Sequence, residues 1–460
     1  MEKRKPPPPK REAAVFFQTS SIVVKWDYRN GQTSLHGEGV LSLNLDHILE
    51  KYAELVIGTG LSIQPGQTLV IGSEAAPVDL ECAPLVRKLV EKAYDAGAKY
   101  VMVNWEDAPS QRIFLEKAPE ETLDDYPMWR VKWMMEIAEQ GGAFLTVRAP
   151  DPEALQGINL DRMQRAIKAK RAAISELGTF FGSMKVPWSV ICMPTVAWAK
   201  KVFPELSDEE ALSKLWEHVA QILRLDQEDT KKAWEEHLVR LGEKTEHLNR
   251  ARFRKLHFKG PGTDLTIELP ERQVWISLAG TKDPKGVPFL PNLPSEEVFS
   301  VPVKTGVNGT VRATLPLSYQ GTLIENFSLR FENGKVVEAA AEKGQEALQM
   351  LLDTDAGSSY LGEVALVPVE SPLAQLGVLF YNTLYDENAS VHLALGSAYS
   401  FCIEGGTEMS KEQLEQNGLN TSLAHVDFMI GSDQLDIDGI TASGDVVPVF
   451  RRGNWAKHES

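Results

Sequence analysis

Thr68-Leu-Val-Ile-Gly72, then Leu85-Val-Arg-Lys-Leu-Val-Glu-Lys-Ala-Tyr-Asp-Ala96 closed by Gly97, then Tyr100-Val-Met-Val-Asn104, decide the fold class. The first and last are short apolar runs of strand length, read as buried strands. The middle stretch places Leu85, Val86, Leu89, Val90 and Ala93 at the spacing of one helix face. Gly97 is a helix stop, because glycine enters the left-handed backbone region at little cost. A strand, a crossover helix and a second strand form the unit that pairs its strands in parallel. Outward from this unit the theme persists. Leu49, Tyr52, Ala53, Val56 and Ile57 recur at helical spacing, and Gln64-Pro-Gly-Gln67 is a turn. Phe144–Val147 and Trp188–Met193 are further strands. Helices fill 127–140, 160–182 and 208–250, the last long enough to be two. The sequence predicts an α/β N-terminal domain with a parallel sheet and flanking helices.

Near Arg252 the pattern changes to short strands: Lys255–Phe258, Asp264–Leu269, Val274–Leu278, Gly309–Leu315 and Ser328–Glu332. Thr305-Gly306 and Asn333-Gly334 are turn signals between them. We expect an α+β C-terminal domain, with a boundary at about 250 that divides the chain into 43–250 and 251–460. Residues 1–42, with Pro6 to Pro9 and no sustained period, are expected to be a disordered extension.

A chain of 460 residues is too long for one ordinary core, and its 43% apolar content can fill two. The formal net charge of −16 argues against nucleic acid as the main partner, because phosphate binding needs a basic surface. No apolar run approaches the roughly 18 residues that span a bilayer. Cys82, Cys192 and Cys402 are scattered, odd in number and form no CxxC pair. They read as small buried hydrophobes in a reducing, cytoplasmic protein. There is no HExxH helix, GxSxG elbow or Walker A loop. Trp129, Trp133, Trp216 and Trp234 fall on helical patterns and are expected in the core.

The residues that carry chemistry lie between 290 and 430. Ala424–Ile430 reads as a strand, so His425 and Asp427 share one face and can chelate a metal or orient each other. In Gly362-Glu363-Val-Ala-Leu-Val367 an acid opens an apolar strand; taken alone, it is a strand start in water. In Asn292-Leu-Pro-Ser-Glu-Glu-Val-Phe299 an acid pair precedes two apolar residues; taken alone, it is a capping or surface turn. Tyr385–Gly396 carries Glu387 and His392, and Tyr399 follows. His392 and His425 stand in apolar settings beside acids, whereas His237 and His247 lie in charged helical contexts and read as surface. Glu297, Glu363, His392, His425 and Asp427 together supply three carboxylates and two imidazoles. That set can balance two divalent cations and leave positions open for water and a carbonyl. Spacing alone does not bring the four segments together.

At these residues the chain resembles the thermophilic aminopeptidase family of metallo-aminopeptidases, the AmpS, PepS and AmpT type. The resemblance runs from about 45 to 456. It rests on Asn292–Phe299, Gly362–Val367, Asp386-Glu-Asn-Ala-Ser-Val-His392, His425-Val-Asp427 and the terminal Phe450-Arg-Arg-Gly-Asn-Trp455. It implies a metal-dependent aminopeptidase that releases N-terminal amino acids from short peptides through a dinuclear site. It implies Glu297, Glu363, His392, His425 and Asp427 as ligands of two divalent ions, with zinc, cobalt or magnesium as the metal. It implies that Tyr399 assists catalysis, that Glu363 or Glu387 relays a proton, and that a homodimer encloses the active site in an internal cavity. Glu296 is a candidate holder of the substrate α-amino group. The rival is a mononuclear iron ring-cleaving dioxygenase on a related scaffold, which would need a single His/carboxylate site.

Overall fold

The computed structural model describes residues 25–27, 32–34, 44–149, 157–319 and 321–457. The extension expected over 1–42 lies outside the described residues, apart from the paired strands Lys25–Asp27 and Gln32–Ser34.

The N-terminal half is a four-stranded sheet in the order Tyr100–Val103, Thr68–Ile71, Ala143–Arg148, Trp188–Cys192. All of its pairings are parallel. Side chains alternate across a strand, and that alternation separates two cores. Leu69, Ile71 and Leu145 pack on one face with Tyr52, Leu85, Leu89, Trp198 and Trp216. Val70 and Phe144 pack on the other with Val131, Met134 and Leu177. Each fully buried aliphatic side chain contributes about 1.5–3 kcal/mol. Helices Leu45–Glu54 and Ala83–Asp95 cover the first face, and Trp129–Glu139 and Leu160–Gly182 cover the second. Gly97 does end its helix in the left-handed region, at φ 89°.

Two of these expectations are corrected. Tyr100–Val103 is an edge strand, not a buried one, with Tyr100 57% and Met102 44% exposed. An apolar run does not tell an edge from a centre. Trp216 and Trp234 are buried, but Trp129 is 71% exposed. The 208–250 region, long enough for two helices, does form two, Asp208–Ile222 and Thr230–Ala251. Arg224, at φ 59°, breaks the run, and Asp229 caps the second helix through the Lys232 N–H.

The C-terminal half is mostly antiparallel. An eight-stranded sheet and a four-stranded sheet share one core: Leu256, Phe258, Leu265 and Ile437 from the first meet Val364, Leu366, Leu393, Leu395 and Phe428 from the second. The Asn333-Gly334 turn joins Ser328–Glu332 to Lys335–Ala340, with φ of 48° and 83° as a two-residue hairpin requires. Val274–Leu278 is no strand. It makes one bridge, Ile276 to Phe299, while Trp275 fills the core.

The halves interlock. Leu290, Leu293, Phe380, Leu384 and Tyr385 belong to the N-terminal core. The Trp198 indole N–H donates to the Phe380 carbonyl at 2.6 Å, and Asn382 Nδ2 donates to Cys192 Sγ at 3.2 Å. The three cysteines are free and buried. Among the described residues no helix is long and apolar enough to cross a membrane.

Candidate metal centre

The four-stranded sheet runs Val298–Ser300, Leu361–Leu366, His392–Gly396, His425–Met429. Every candidate ligand lies on it or one residue before it. Glu297 precedes the first strand, Glu363 sits in the second, His392 opens the third, and His425 and Asp427 occupy the fourth. The register explains their convergence. Glu363 is paired with Ala394, and Ala394 with Asp427; His392 is paired with Ala365, and His425 with Gly396. Directly paired residues share a face, so these polar groups all rise from the face opposite the Val364, Leu393 and Phe428 core. The intervening residues on that face are Ala365, Ala394 and Gly396. Their small size lets acids and imidazoles from different strands lean together.

A bulge aims Glu363. The Leu361–Leu366 strand shifts register between Leu361 and Glu363. Gly362 sits in that shift, where a Cβ would lie 2.3 Å from the Ser397 carbonyl oxygen.

The two histidines are oriented alike. His392 Nδ1 lies 3.0 Å from Ser390 O, and His425 Nδ1 lies 2.8 Å from Ser397 O. A carbonyl only accepts, so each Nδ1 carries a hydrogen and each Nε2 is turned to the acids. His392 Nε2 is 3.2 Å from Glu297 Oε2 and 3.7 Å from Glu363 Oε1. His425 Nε2 is 3.2 Å from Glu363 Oε2 and 3.6 Å from Asp427 Oδ1. A neutral ring in this tautomer aims a lone pair at carboxylate oxygens, which is repulsive unless a cation stands between. A proton or a metal ion meets that demand.

Donor geometry fits a metal. One donor atom from each of Glu297, Glu363 and His392 lies within 4.8 Å of the others, and the same holds for Glu363, His425 and Asp427. Ligands about 2.1 Å from a shared tetrahedral ion stand about 3.4 Å apart, and the observed separations are 3.2–3.7 Å. Glu363 belongs to both groups and offers one oxygen to each histidine. The Asp427 Oδ1 atom is buried with no hydrogen bond. His392 is 1% exposed, Glu363 4% and Asp427 7%; buried charges at such density need compensation.

Electrostatics carry the same message. Burial alone would lower both histidine pKa values. The surrounding acids reverse this: Glu297 and Glu363 hold His392, and Asp427 and Glu363 hold His425, well above the ordinary value. Burial raises the Glu297 carboxyl, against the pull of His392. Burial would also raise Asp427, but His425 brings it below its ordinary value. Glu387 lies outside both three-residue groups yet feels them. Burial, then Asp427 and Glu297, push its pKa well above the carboxylate range.

Tyr399 borders the cluster. Its ring packs on His425 with centroids 4.7 Å apart and stacks on Phe401 at 5.1 Å. Tyr399 is 38% exposed, and its hydroxyl pKa is pushed well above its ordinary value by burial and by Glu363, Asp427 and Glu387.

Glu296 points elsewhere. Its carboxylate accepts from Arg224 Nη2 at 2.8 Å, and His237 Nε2 lies 3.7 Å from the other oxygen. A carboxylate so engaged is not placed to hold a substrate amine. His237, expected at the surface, is 4% exposed, with Nε2 2.9 Å from Ser295 O. Sequence reasoning also passed over Ala394 and the Ser390 and Ser397 carbonyls. Only a small residue inside an otherwise bulky strand marked the first; nothing marked the others.

Comparison with known proteins extends the picture. Residues 45–455 match the family described as thermophilic metalloprotease (M29). Aminopeptidase 2 of Geobacillus stearothermophilus is 49% identical over 408 residues, covering 89% of this chain and 97% of that protein. Aminopeptidase AmpS of Bacillus subtilis (strain 168) is 47% identical, covering 89% of this chain and 98% of that protein. The structure of wild-type AmpT from Thermus thermophilus superposes with a TM-score of 0.83 at 42% identity, covering 90% of this chain and all of that one.

Proposed function

Because the chain belongs to the thermophilic metalloprotease (M29) family and is a metal-dependent aminopeptidase, we propose that it releases N-terminal residues from short peptides through a dinuclear site. The observation that carries the two-metal reading is the division of Glu363 between two donor groups. Glu297 and His392 complete one group, and His425 and Asp427 complete the other. Three carboxylates offset most of the charge of two divalent ions and leave a net positive site for a developing oxyanion. The ligands are oxygen and nitrogen only, which suits zinc, cobalt or magnesium.

Divalent ions in this position would acidify a bound water and polarise the scissile carbonyl. The residues do the rest. Glu387 lies in the field of Asp427 and Glu297 without belonging to either donor group, which leaves its carboxylate free to relay a proton. It accepts the proton of the attacking water and passes it to the leaving amine. Glu363, engaged with both histidines, is the less free of the two candidate relays. The Tyr399 hydroxyl stays protonated and donates a hydrogen bond to the oxyanion.

The division into 43–250 and 251–460 and a homodimer with an internal cavity belong to the same proposal. A cytoplasmic setting accords with three unpaired, buried cysteines.

The test is hydrolysis of leucine-p-nitroanilide and of its N-acetylated form. The free amine alone should be cleaved, with activity lost to a chelator and restored by cobalt or zinc. Equal cleavage of both forms would reject the exopeptidase reading.

A further inference from the structure

Behind Glu297 lies a buried polar group that the proposed chemistry leaves unused. Arg224 adopts a left-handed backbone, φ 59°, at the end of the Asp208–Ile222 helix. A residue other than glycine is held there only when its surroundings fix it. Arg224 Nη1 donates to Ile222 O at 3.1 Å, and its guanidinium sits 5.1 Å from the Trp234 ring centroid. Nη2 donates to Glu296 Oε1 at 2.8 Å. Two more contacts grip the same stretch of backbone. His237 Nε2 lies 2.9 Å from Ser295 O, and the Glu296 N–H donates to Asn388 Oδ1 at 2.7 Å. Arg224, His237, Glu296 and Asn388 are 9%, 4%, 6% and 0% exposed.

We propose that Arg224 is a positioning residue for Glu297. A peptide chain has two soft dihedrals per residue. Here the Ser295 carbonyl, the Glu296 amide and the Glu296 carboxylate are each held from outside the segment. On the other side, Val298 is fixed by pairing with Leu366. Glu297 lies between these anchors, and its carboxylate is left with one direction, toward His392. Arg224 and His237 come from the N-terminal helices, so the clamp makes half of the metal centre depend on the other half of the chain. Asn388 neighbours Glu387, so the same clamp also fixes the spacing between ligand and relay.

A buried ion pair can also serve stability alone, and the test separates the two roles. The inference rests on Glu297 as a ligand, so Glu297→Gln is the reference variant. Cobalt binding to the metal-stripped full chain is measured by calorimetry, and melting is followed without metal. In Arg224→Met/Glu296→Met both charges leave together, so no unpaired charge stays buried. We expect this variant to melt as the parent does without metal. It should bind cobalt ~10–100-fold more weakly, the usual effect of losing a residue that orients a ligand. Once loaded, it should show a lower kcat at unchanged KM. A stable double variant with parent affinity would overturn the proposal. Should it fail to fold, Arg224→Lys decides. Lysine keeps the charge but cannot hold Ile222 and Glu296 at once, so affinity should still fall, and parent affinity would overturn the clamp. Undiminished binding by Glu297→Gln would instead overturn the ligand assignment, and the clamp with it.

Discussion

Replacing Ala394 with leucine tests whether the register of the site sheet makes the metal centre. Ala394 lies directly opposite Glu363 on one side and Asp427 on the other. Paired Cβ atoms stand about 5 Å apart, so about 10 Å separates the two acid stems across one methyl group. The carboxylates and imidazole nitrogens meet above that methyl. Leucine adds three carbons there, in the space where the ions are expected. Packing extra methylenes into a filled site costs about 1–3 kcal/mol, which a chain with two large cores should survive. Pushing Glu363 or Asp427 aside removes a ligand outright. Loss of an orienting neighbour alone weakens metal binding ~10–100-fold, so affinity should fall at least ~100-fold, about 2.7 kcal/mol. The assay is metal per chain after dialysis, with circular dichroism to confirm the fold. Ala394→Gly is the control: it leaves the space open and should keep its metal. Full metal content and activity in a folded Ala394→Leu chain would refute the placement of the ligands on this face.

Three further expectations follow from the same geometry. Tyr399→Phe should lower kcat ~10²–10³-fold, as loss of an oxyanion donor does, while metal content by elemental analysis stays unchanged; loss of metal would make Tyr399 a structural neighbour instead. Gly362→Ala should reduce metal affinity and melting temperature together, because the new Cβ would lie 2.3 Å from Ser397 O and 2.4 Å from Gly396 O; retained affinity in calorimetry would contradict the bulge argument. The metal-free chain should lose stability as pH rises. His392 and His425 are raised above 6.5, Glu297 and Glu387 above 4.5, and Asp386, through burial, from 3.8 to about 7. Each raised group binds more protons in the folded state, so its contribution is full below its unfolded pKa and fades as pH climbs through the folded one. Asp427, lowered from 3.8, acts oppositely in acid, and His218 and His237, lowered from 6.5 by burial, oppose the trend only as pH climbs toward that value. Melting temperatures between about pH 5 and about pH 8 should fall for the metal-free chain and fall less for the loaded one; a rise in the metal-free chain would reverse the assignment.

The parallel sheet was legible because Thr68–Ile71, Ala143–Arg148 and the helices between them follow the strict periods that burial imposes. The edge position of Tyr100–Val103 was not, because strand order depends on contacts between distant segments. His425 and Asp427 could be paired from the two-residue period of one strand. Glu363, His392 and Glu297 could not be joined to them by period, since Glu363 is 62 residues from His425 and meets it only through the Ala394 register. Their grouping came from family resemblance. The partner of Glu296 was hidden for the same reason: Arg224 lies 72 residues away, and its charge gives no hint of burial. His237 misled because a helix rich in Lys and Glu looks solvated, although one of its faces carries Trp234 and Leu241 into the cores.

The central claim is that Glu363 joins two metal positions in one active site. The most direct test is to add cobalt or zinc to the metal-stripped chain in measured equivalents, following bound metal per chain and leucine-p-nitroanilide cleavage together. The account expects two ions per chain, with both lost from Glu363→Gln. Saturation at one ion per chain with no amide cleavage would contradict it and favour the single-metal site of a ring-cleaving oxygenase instead.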